Sequence, residues 1–399
     1  MPNKPLIAAG IDCGADHTRV VFLRLEEGRV YYAGHASGES RGWQRGRMAD
    51  HRAVAESIRQ TVEAAEQCSG LGAEGAVAGL GGGGIDGAST RGLYEFGRRR
   101  TITRDDLVYA IERASNLRLD NDRLILMVMP QDFTVDGRAG LINPSGAQAS
   151  RVEANVQVIT ASLQEHEILV AAIHESHLAV EETVFEAVAS AYAAILPEER
   201  ERGVVLVDIG AQTTEVAVYS SDALMASVSL PLGGEHFTRD LAYCLKISFE
   251  DAQALKEEYG CARMGYVDDT NLIEVPPHEG RPPREVTRGQ LNEILEARAE
   301  ELFQYVQREV ENAGMTRELL EGAILTGGGA MLAGMLDVAE RVLECPARNG
   351  LAVGIVGLPD ELMTPAWTTA AGLAMYSARL KAYRDGRSRP PGFLNMILR

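Results

Sequence analysis

Two short stretches place an aspartate and a glycine two residues apart at the end of an apolar run. They are Asp12-Cys13-Gly14 after residues 6–11 and Asp208-Ile209-Gly210 after residues 203–207. Each is followed by small and polar residues and then by a second β-prone run, residues 19–23 and 215–219. A carboxylate at such a place can hold Mg2+ through its waters, because Mg2+ takes few protein carboxylates beside phosphate and water. Backbone N–H groups of the turn can point at phosphate oxygens, and glycine lets the backbone come close. Facing each other across a cleft, Asp12 and Asp208 would form a metal–phosphate clamp. A third element, Gly327-Gly328-Gly329 after Ala323-Ile324-Leu325-Thr326, offers bare backbone against which adenosine can lie. Taken singly, each aspartate also reads as a turn or cap residue, and the triple glycine as a plain tight turn. The three together shift the balance to a nucleotide.

The elements that must position these residues read as a repeated pattern. Strand, Asp-x-Gly, polar turn and strand occur twice, about half a chain apart, although two such hairpins also arise by chance. The expectation is an α/β chain of two duplicated lobes around a cleft, and 399 residues suit two halves of similar size. Residues 53–68 carry apolar side chains at helical spacing, and 76–80 form a strand-like run ahead of the glycine break Gly81–Gly84. Thr103 with Asp106 three residues on predicts a capped helix start, and 124–129 a strand. Residues 287–311 predict a long helix with Leu291, Leu295, Leu302, Phe303, Val306 and Val310 on one face.

The composition excludes several classes. A net charge of −18 opposes broad nucleic-acid binding, which depends on Lys and Arg neutralising phosphates. The five cysteines lie far apart with no C-x-x-C pair, which speaks against a metal site or disulfide framework and suits a reducing cytoplasm. The N-terminus lacks the apolar core of a signal peptide, and no window reaches the roughly 18 apolar residues that span a bilayer.

At the level of motifs the chain resembles FtsA, the actin-like bacterial cell-division family. The two phosphate motifs and the adenosine motif stand in the order of the actin, Hsp70 and sugar-kinase superfamily. Residues 123–160 resemble the FtsA inserted subdomain, with Pro130-Gln131-Asp132-Phe133-Thr134-Val135-Asp136-Gly137, then Asn143-Pro144, then a strand through Arg151, Glu153, Val156 and Thr160. The runs VLVDIGAQTTEVAVY, LPLGGEHFTRDLA, AQALKEEYGCA and AILTGGGAML follow in FtsA order, and the similarity covers residues 7–380. The resemblance implies an actin/Hsp70-like ATPase fold divided into subdomain 1A (1–82 and 166–202), inserted subdomain 1C (83–165), 2A (203–240 and 316–382), 2B (241–315) and a linker with a short apolar tail (383–399).

Carried over position by position, the resemblance implies ATP and Mg2+ as cofactors. Asp12, Gly14, Ala15, Asp16, His17 and Thr18 would meet the phosphates from one side, and Asp208, Gly210, Ala211, Gln212 and Thr213 from the other. Gly233 and Gly234 would line the phosphate end, and Gly327, Gly328, Gly329 and Met331 would embrace adenosine. Lys256 would face the ribose with Gln253, where the family usually has glutamate. Glu186 falls where relatives orient the attacking water, or is a surface helix glutamate. Several residues depart from the family pattern. Ala15 removes a hydroxyl, His17 puts an imidazole in place of a permanent cation, Ala211 and Gln212 replace a glycine and a small residue, and Glu215 replaces aspartate. The expectation is nucleotide binding with slow or negligible hydrolysis.

The same resemblance implies partners. They are the C-terminal peptide of the tubulin-like protein FtsZ, other copies of the chain in a polymer, later division proteins, and lipid on the inner face of the cytoplasmic membrane. Arg284 and Arg298 would receive the acidic peptide, since a guanidinium fork pairs with carboxylates bidentately; otherwise they are solvated arginines paired with neighbours such as Glu301. In the tail, Phe393, Leu394, Ile397 and Leu398 could share a membrane-facing side. So short a helix is weak alone, though polymerised copies add avidity; otherwise the tail docks elsewhere or frays. Competing readings are a PilM-like pilus-assembly scaffold, a sugar or acetate kinase, for which neither a base nor a sugar pocket stands out, and a chaperone ATPase, for which no substrate-binding domain follows residue 380.

Overall fold

A computed structural model describes residues 6–278, 282–315 and 321–384. Two sheets form the lobes. In the first, the spatial order is Ala179–Phe185, Gly75–Leu80, Leu6–Cys13, His17–Glu26, Arg29–Glu39 and Ile355–Val356. In the second it is Ala347–Asn349, Gly322–Thr326, Val204–Ile209, Thr214–Ser220 and Ala223–Leu230. The two orders match strand for strand over five positions. In both, the aspartate-tipped strand lies between an antiparallel hairpin partner and a parallel strand from later in the chain. Val204–Ile209 is buried throughout, as a strand covered on both faces must be.

One consequence escaped the sequence. Gly75–Leu80 of the first lobe holds the place that Gly322–Thr326 holds in the second, so the glycines Gly81–Gly84 stand where Gly327–Gly329 stand. Gly81 and Gly82 are part of the cleft and not only a boundary.

The inserted unit is a four-stranded sheet ordered Asp86–Thr101, Gln148–Ser162, Arg123–Val135, Arg138–Leu141, covered by the helix Arg104–Ser115. Thr103 and Asp106 make the reciprocal capping bonds anticipated for that helix. Its own core includes Ile102, Leu107, Phe133, Val152 and Val156. In the second lobe the helix Arg288–Asn312, N-capped by Thr287, buries Leu291, Leu295, Leu302, Phe303, Val306 and Val310.

The end of the chain corrects the expected division. Within residues 355–382, expected with the second lobe, the strand Ile355–Val356 and most of the final helix pack on the first, whereas Pro365 stays on the second, accepting from Gly327 N at 2.9 Å. Ile355–Val356 pairs with Arg29–Glu39, and the helix Thr368–Arg384 lies across Leu6–Cys13 and Glu186–Ala194. The approach is backbone to backbone: a methyl group on Gly10 would sit 2.3 Å from Ala374 N, and one on Gly372 2.0 Å from Ala189 O. Gly280, Arg281 and the tail residues Phe393, Leu394, Ile397 and Leu398 lie outside the described residues.

Candidate functional site

Between the lobes lies a cleft of about 710 Å³ into which both aspartate turns and the Gly327–Gly329 run open. That volume suits a nucleotide-sized ligand. In the first turn, Asp12 lies opposite Arg19 in the hairpin register, and Gly14, Ala15, Asp16 and His17 line the cleft. Asp16 and His17 bond to each other at 2.7 Å, which holds the Asp16 carboxyl below its ordinary range. Thr18 departs from expectation. Strand alternation turns its side chain into the core, fully buried, where it shares a 2.8 Å hydrogen bond with Ser40. It is a structural residue and not a phosphate contact.

The second turn is braced. Gly210 N donates to Thr213 O, Gly234 N to Gly210 O and Glu235 N to Ala211 O, so the turn is clamped on the start of the helix Gly234–Leu245. The Asp208 carboxylate accepts hydroxyl hydrogen bonds from Ser190 (2.6 Å) and Thr369 (2.8 Å). Gly233 is not among the lining residues. A methyl group there would lie 2.6 Å from Gly210 O, so it is glycine for close packing. Gln212 lines the cleft, but its amide is engaged: Oε1 accepts from Gly46 N and Nε2 donates to Glu235 at 2.7 Å.

On the third side, methyl groups on Gly327 and Gly329 would lie 2.5 Å from Asp208 Oδ1 and 2.4 Å from Ile209 Cγ2, whereas one on Gly328 would meet nothing within 4 Å. Two glycines thus let the strand end pack on the second turn, and the third presents bare backbone. Met331, 57% exposed, sits at the rim. Lys256 bonds to Gln253 (2.9 Å), Thr238 (2.8 Å) and Gly234 O (3.1 Å), and both Lys256 and Gln253 line the cleft.

Four carboxylates gather here. Burial pushes Asp12 up to about 7, with Arg19 opposing and Asp208 adding to the rise. Burial likewise raises Asp208, against its hydroxyl donors, and lifts Glu215 to about 7. Glu186, at the start of the helix Glu186–Ala194, is raised well above the carboxylate range by burial and by its acidic neighbours. It faces the cleft, so the alternative of a surface helix glutamate fails. Among the lining residues that no motif indicated are Glu215, Arg19, Trp43, Gly81 and Gly82. Glu215 had stood out only as a departure from pattern; here it is 3% exposed and accepts from Gly82 N (3.0 Å) and Thr213 Oγ1 (2.8 Å).

These residues fit a Mg2+-nucleotide. Crowded buried carboxylates repel one another, which a divalent cation relieves. Among the described residues no three His, Cys, Asp or Glu side chains form a ready metal cage, so the ion would complete its shell with phosphate and water, as Mg2+ does.

Arg284 and Arg298 are both engaged within the chain. Arg284 donates to Leu245 O, and Arg298 pairs bidentately with Asp240 (2.6 and 2.9 Å) and with Glu301. An incoming acidic peptide would have to compete with those partners. Among the described residues no helix is long and apolar enough to cross a membrane.

Comparison with known proteins gives a consistent result. The family model "Cell division protein FtsA" matches residues 205–372, and the model of the SHS2 domain inserted in FtsA matches 82–160. A model of the type IV pilus assembly protein PilM matches 142–264. The chain is 30% identical to cell division protein FtsA of Pseudomonas aeruginosa over 382 residues, covering 95% of this chain and 90% of that protein. It is 32% identical to FtsA of Escherichia coli K12 over 378 residues, covering 93% and 90%. Among solved structures, the PilM–PilN type IV pilus biogenesis complex superposes with a TM-score of 0.67 at 18% identity, covering 93% of this chain and 98% of that one. MreB5 of Spiroplasma citri bound to ADP superposes with a TM-score of 0.58 at 13% identity, covering 95% and 98%. The fold is the actin-like ATPase fold.

Proposed function

This chain belongs to the FtsA cell-division family, and from that premise we propose that it is an ATP-binding, actin-like scaffold that polymerises and tethers FtsZ filaments to the cytoplasmic face of the membrane. The reading rests on one observation above the others: two aspartate turns and a glycine-lined strand end, contributed by two lobes, open into a single nucleotide-sized cleft. Asp12 and Asp208 would hold Mg2+ through water, with the backbone of Gly14–His17 and Gly210–Thr213 facing phosphate. Gly327–Gly329 and Met331 would take adenosine, and Lys256 with Gln253 the ribose side. When bound, Mg2+ would neutralise the phosphates and the facing carboxylates. Glu186 would orient the attacking water, and burial with its acidic neighbours raises its carboxyl above the ordinary range. Slow turnover at most is the expectation.

The partners that follow from this reading are a second copy of the chain, the FtsZ C-terminal peptide at Arg284 and Arg298, later division proteins, and anionic lipid at the C-terminal residues. Nucleic acid is not among them, given the net charge of −18. The decisive experiment is sedimentation with anionic vesicles, with and without MgATP and the FtsZ tail peptide. ATP-dependent pelleting that recruits the peptide supports the proposal; pelleting indifferent to ATP and peptide refutes it. The PilM match over residues 142–264 favours a second reading, a pilus-assembly scaffold. Binding of a pilus inner-membrane protein's N-terminal peptide in preference to the FtsZ tail would establish it.

A further inference from the structure

The hairpin Trp43–Gln44 and Arg47–Met48 belongs to the first lobe, yet its tip touches the second. Gly46 N donates to Gln212 Oε1 at 2.5 Å, and a methyl group on Gly46 would lie 2.6 Å from Thr213 Cγ2. Gly46 has φ 72°, so the contact needs glycine twice, for conformation and for space. The same tip holds the first-lobe glycine loop: Gly83 N donates to Gly46 O at 3.1 Å, and Arg47 Nη2 donates to Gly83 O at 3.3 Å. One residue further, Gly84 packs against the root of the inserted sheet, where a methyl group would sit 2.8 Å from Glu165 Oε2 and 3.0 Å from Ser162 Cβ. Arg47 also reaches Glu165 directly, Nη1 to Oε1 at 3.7 Å, and that carboxylate is 5% exposed.

Four pieces of chain distant in sequence are thus joined in series, and every link is a hydrogen bond, an ion pair or a contact too close for a side chain. We propose that this hairpin is a strap carrying the state of the second phosphate turn to the root of the inserted sheet, through Gln212, Gly46, Gly83 and the Arg47–Glu165 pair. The two-state element is the Gly46–Gln212 bond, made or broken, which gives the coupling a physical carrier. With the bond made, the glycine loop and both ends of the inserted sheet are held against the cleft. With it broken, the hairpin is free of the second lobe and the root loosens.

Amide hydrogen exchange of the full-length, nucleotide-free protein tests this. Gln212→Ala should speed exchange about five- to ten-fold at residues 44–48, the loss of about one net hydrogen bond. It should also speed exchange at 84–88 and 160–166, while the buried strand 204–209 stays unchanged as the folding control. Acceleration confined to 44–48, or none, overturns the proposal. Arg47→Met should loosen 160–166 and leave 44–48 within about two-fold of wild type, since the cleft-side bond is intact. Glu165→Gln repeats that test with a near-isosteric side chain should Arg47→Met lower stability, and unchanged exchange at 160–166 in both rejects the ion-pair link. Addition of MgADP, which rests on the proposed function, should slow both segments in wild type and only 44–48 in Arg47→Met. Equal slowing at 160–166 in the variant contradicts the strap, whereas absence of protection at 208–213 contradicts nucleotide binding and leaves the nucleotide-free comparison to decide.

Discussion

The two aspartate turns begin from the same pattern and end in different states. Asp208 accepts hydroxyl bonds from Ser190 and Thr369, and its turn is clamped to the helix Gly234–Leu245. Among the described residues no group donates a hydrogen bond to the Asp12 carboxylate, and its turn carries an exposed Asp16 paired with a half-buried His17. Both carboxylates are almost fully buried. One is therefore preorganised by its own chain, and the other is held in a costly charge environment that a cation would relieve. A duplicated hairpin supplies two similar backbones; preorganisation depends on which hydroxyls later elements bring to each.

The largest effect should come from the braced turn. Asp208→Ala should lower MgATP affinity by about 100-fold, as loss of a charge-assisted contact of roughly 2–3 kcal/mol implies. Calorimetric titration measures it, and a loss under about five-fold would place the metal elsewhere. Asp12→Asn should weaken MgATP by about 30-fold and, unlike Asp208→Ala, stabilise the ligand-free protein. The sign follows from linkage. With its folded pKa near 7, above an ordinary carboxyl, Asp12 contributes stability that is full below about pH 4 and is lost as pH rises to about 7. In EDTA, wild-type Tm should therefore fall between pH 5 and pH 8, and the fall should be smaller in Asp12→Asn, with the remainder carried by Glu186 and Glu215. An identical pH profile in the variant would erase the contrast between the turns.

What could be read beforehand follows the range of the interactions. The Asp-tipped strands were legible because a buried apolar run ending in Asp-x-Gly is a local signal, and the long helix of residues 288–312 because its apolar stripe is periodic. Gly81–Gly84 carries as strong a glycine signal as Gly327–Gly329. Its cleft role depends on Gly75–Leu80 pairing beside Leu6–Cys13, which no local pattern states. The final helix was assigned to the wrong lobe for the same reason, since the contact of Gly10 with Ala374 joins opposite ends of the chain. Thr18 was misplaced by one strand alternation. Arg19, Trp43 and Glu215 reach the cleft from a strand register, a hairpin and a hydrogen bond to Gly82, none of which leaves a motif.

Removing the brace should make the second turn resemble the first. Ser190→Ala with Thr369→Val deletes the two hydroxyl donors that do most to hold the Asp208 carboxyl down against burial. MgATP affinity should drop about ten-fold, the worth of two neutral donors after solvent exchange. The loss should be greater at pH 6 than at pH 8, because a carboxyl without its donors protonates more readily. A loss independent of pH would show that the hydroxyls position the helices they stand on and do not tune the carboxylate.

The smallest change runs the other way, adding to the first turn what it lacks. Ala15 lines the cleft, is partly buried and has no positive φ, so a hydroxyl-bearing side chain fits its backbone. Ala15→Thr should tighten MgADP by about two- to five-fold, one neutral hydrogen bond to phosphate. Ala15→Ser should give most of that gain, and Ala15→Val, similar to threonine in shape without the donor, none. A gain in both the threonine and valine variants would mean that added bulk closes the turn and that the missing hydroxyl is irrelevant. A gain restricted to serine and threonine would show that the unbraced turn is limited by donors and not by the charge on Asp12. ATP turnover should stay low in all three, because the departures of the second turn from the family pattern, Ala211, Gln212 and Glu215, are untouched by a change at position 15.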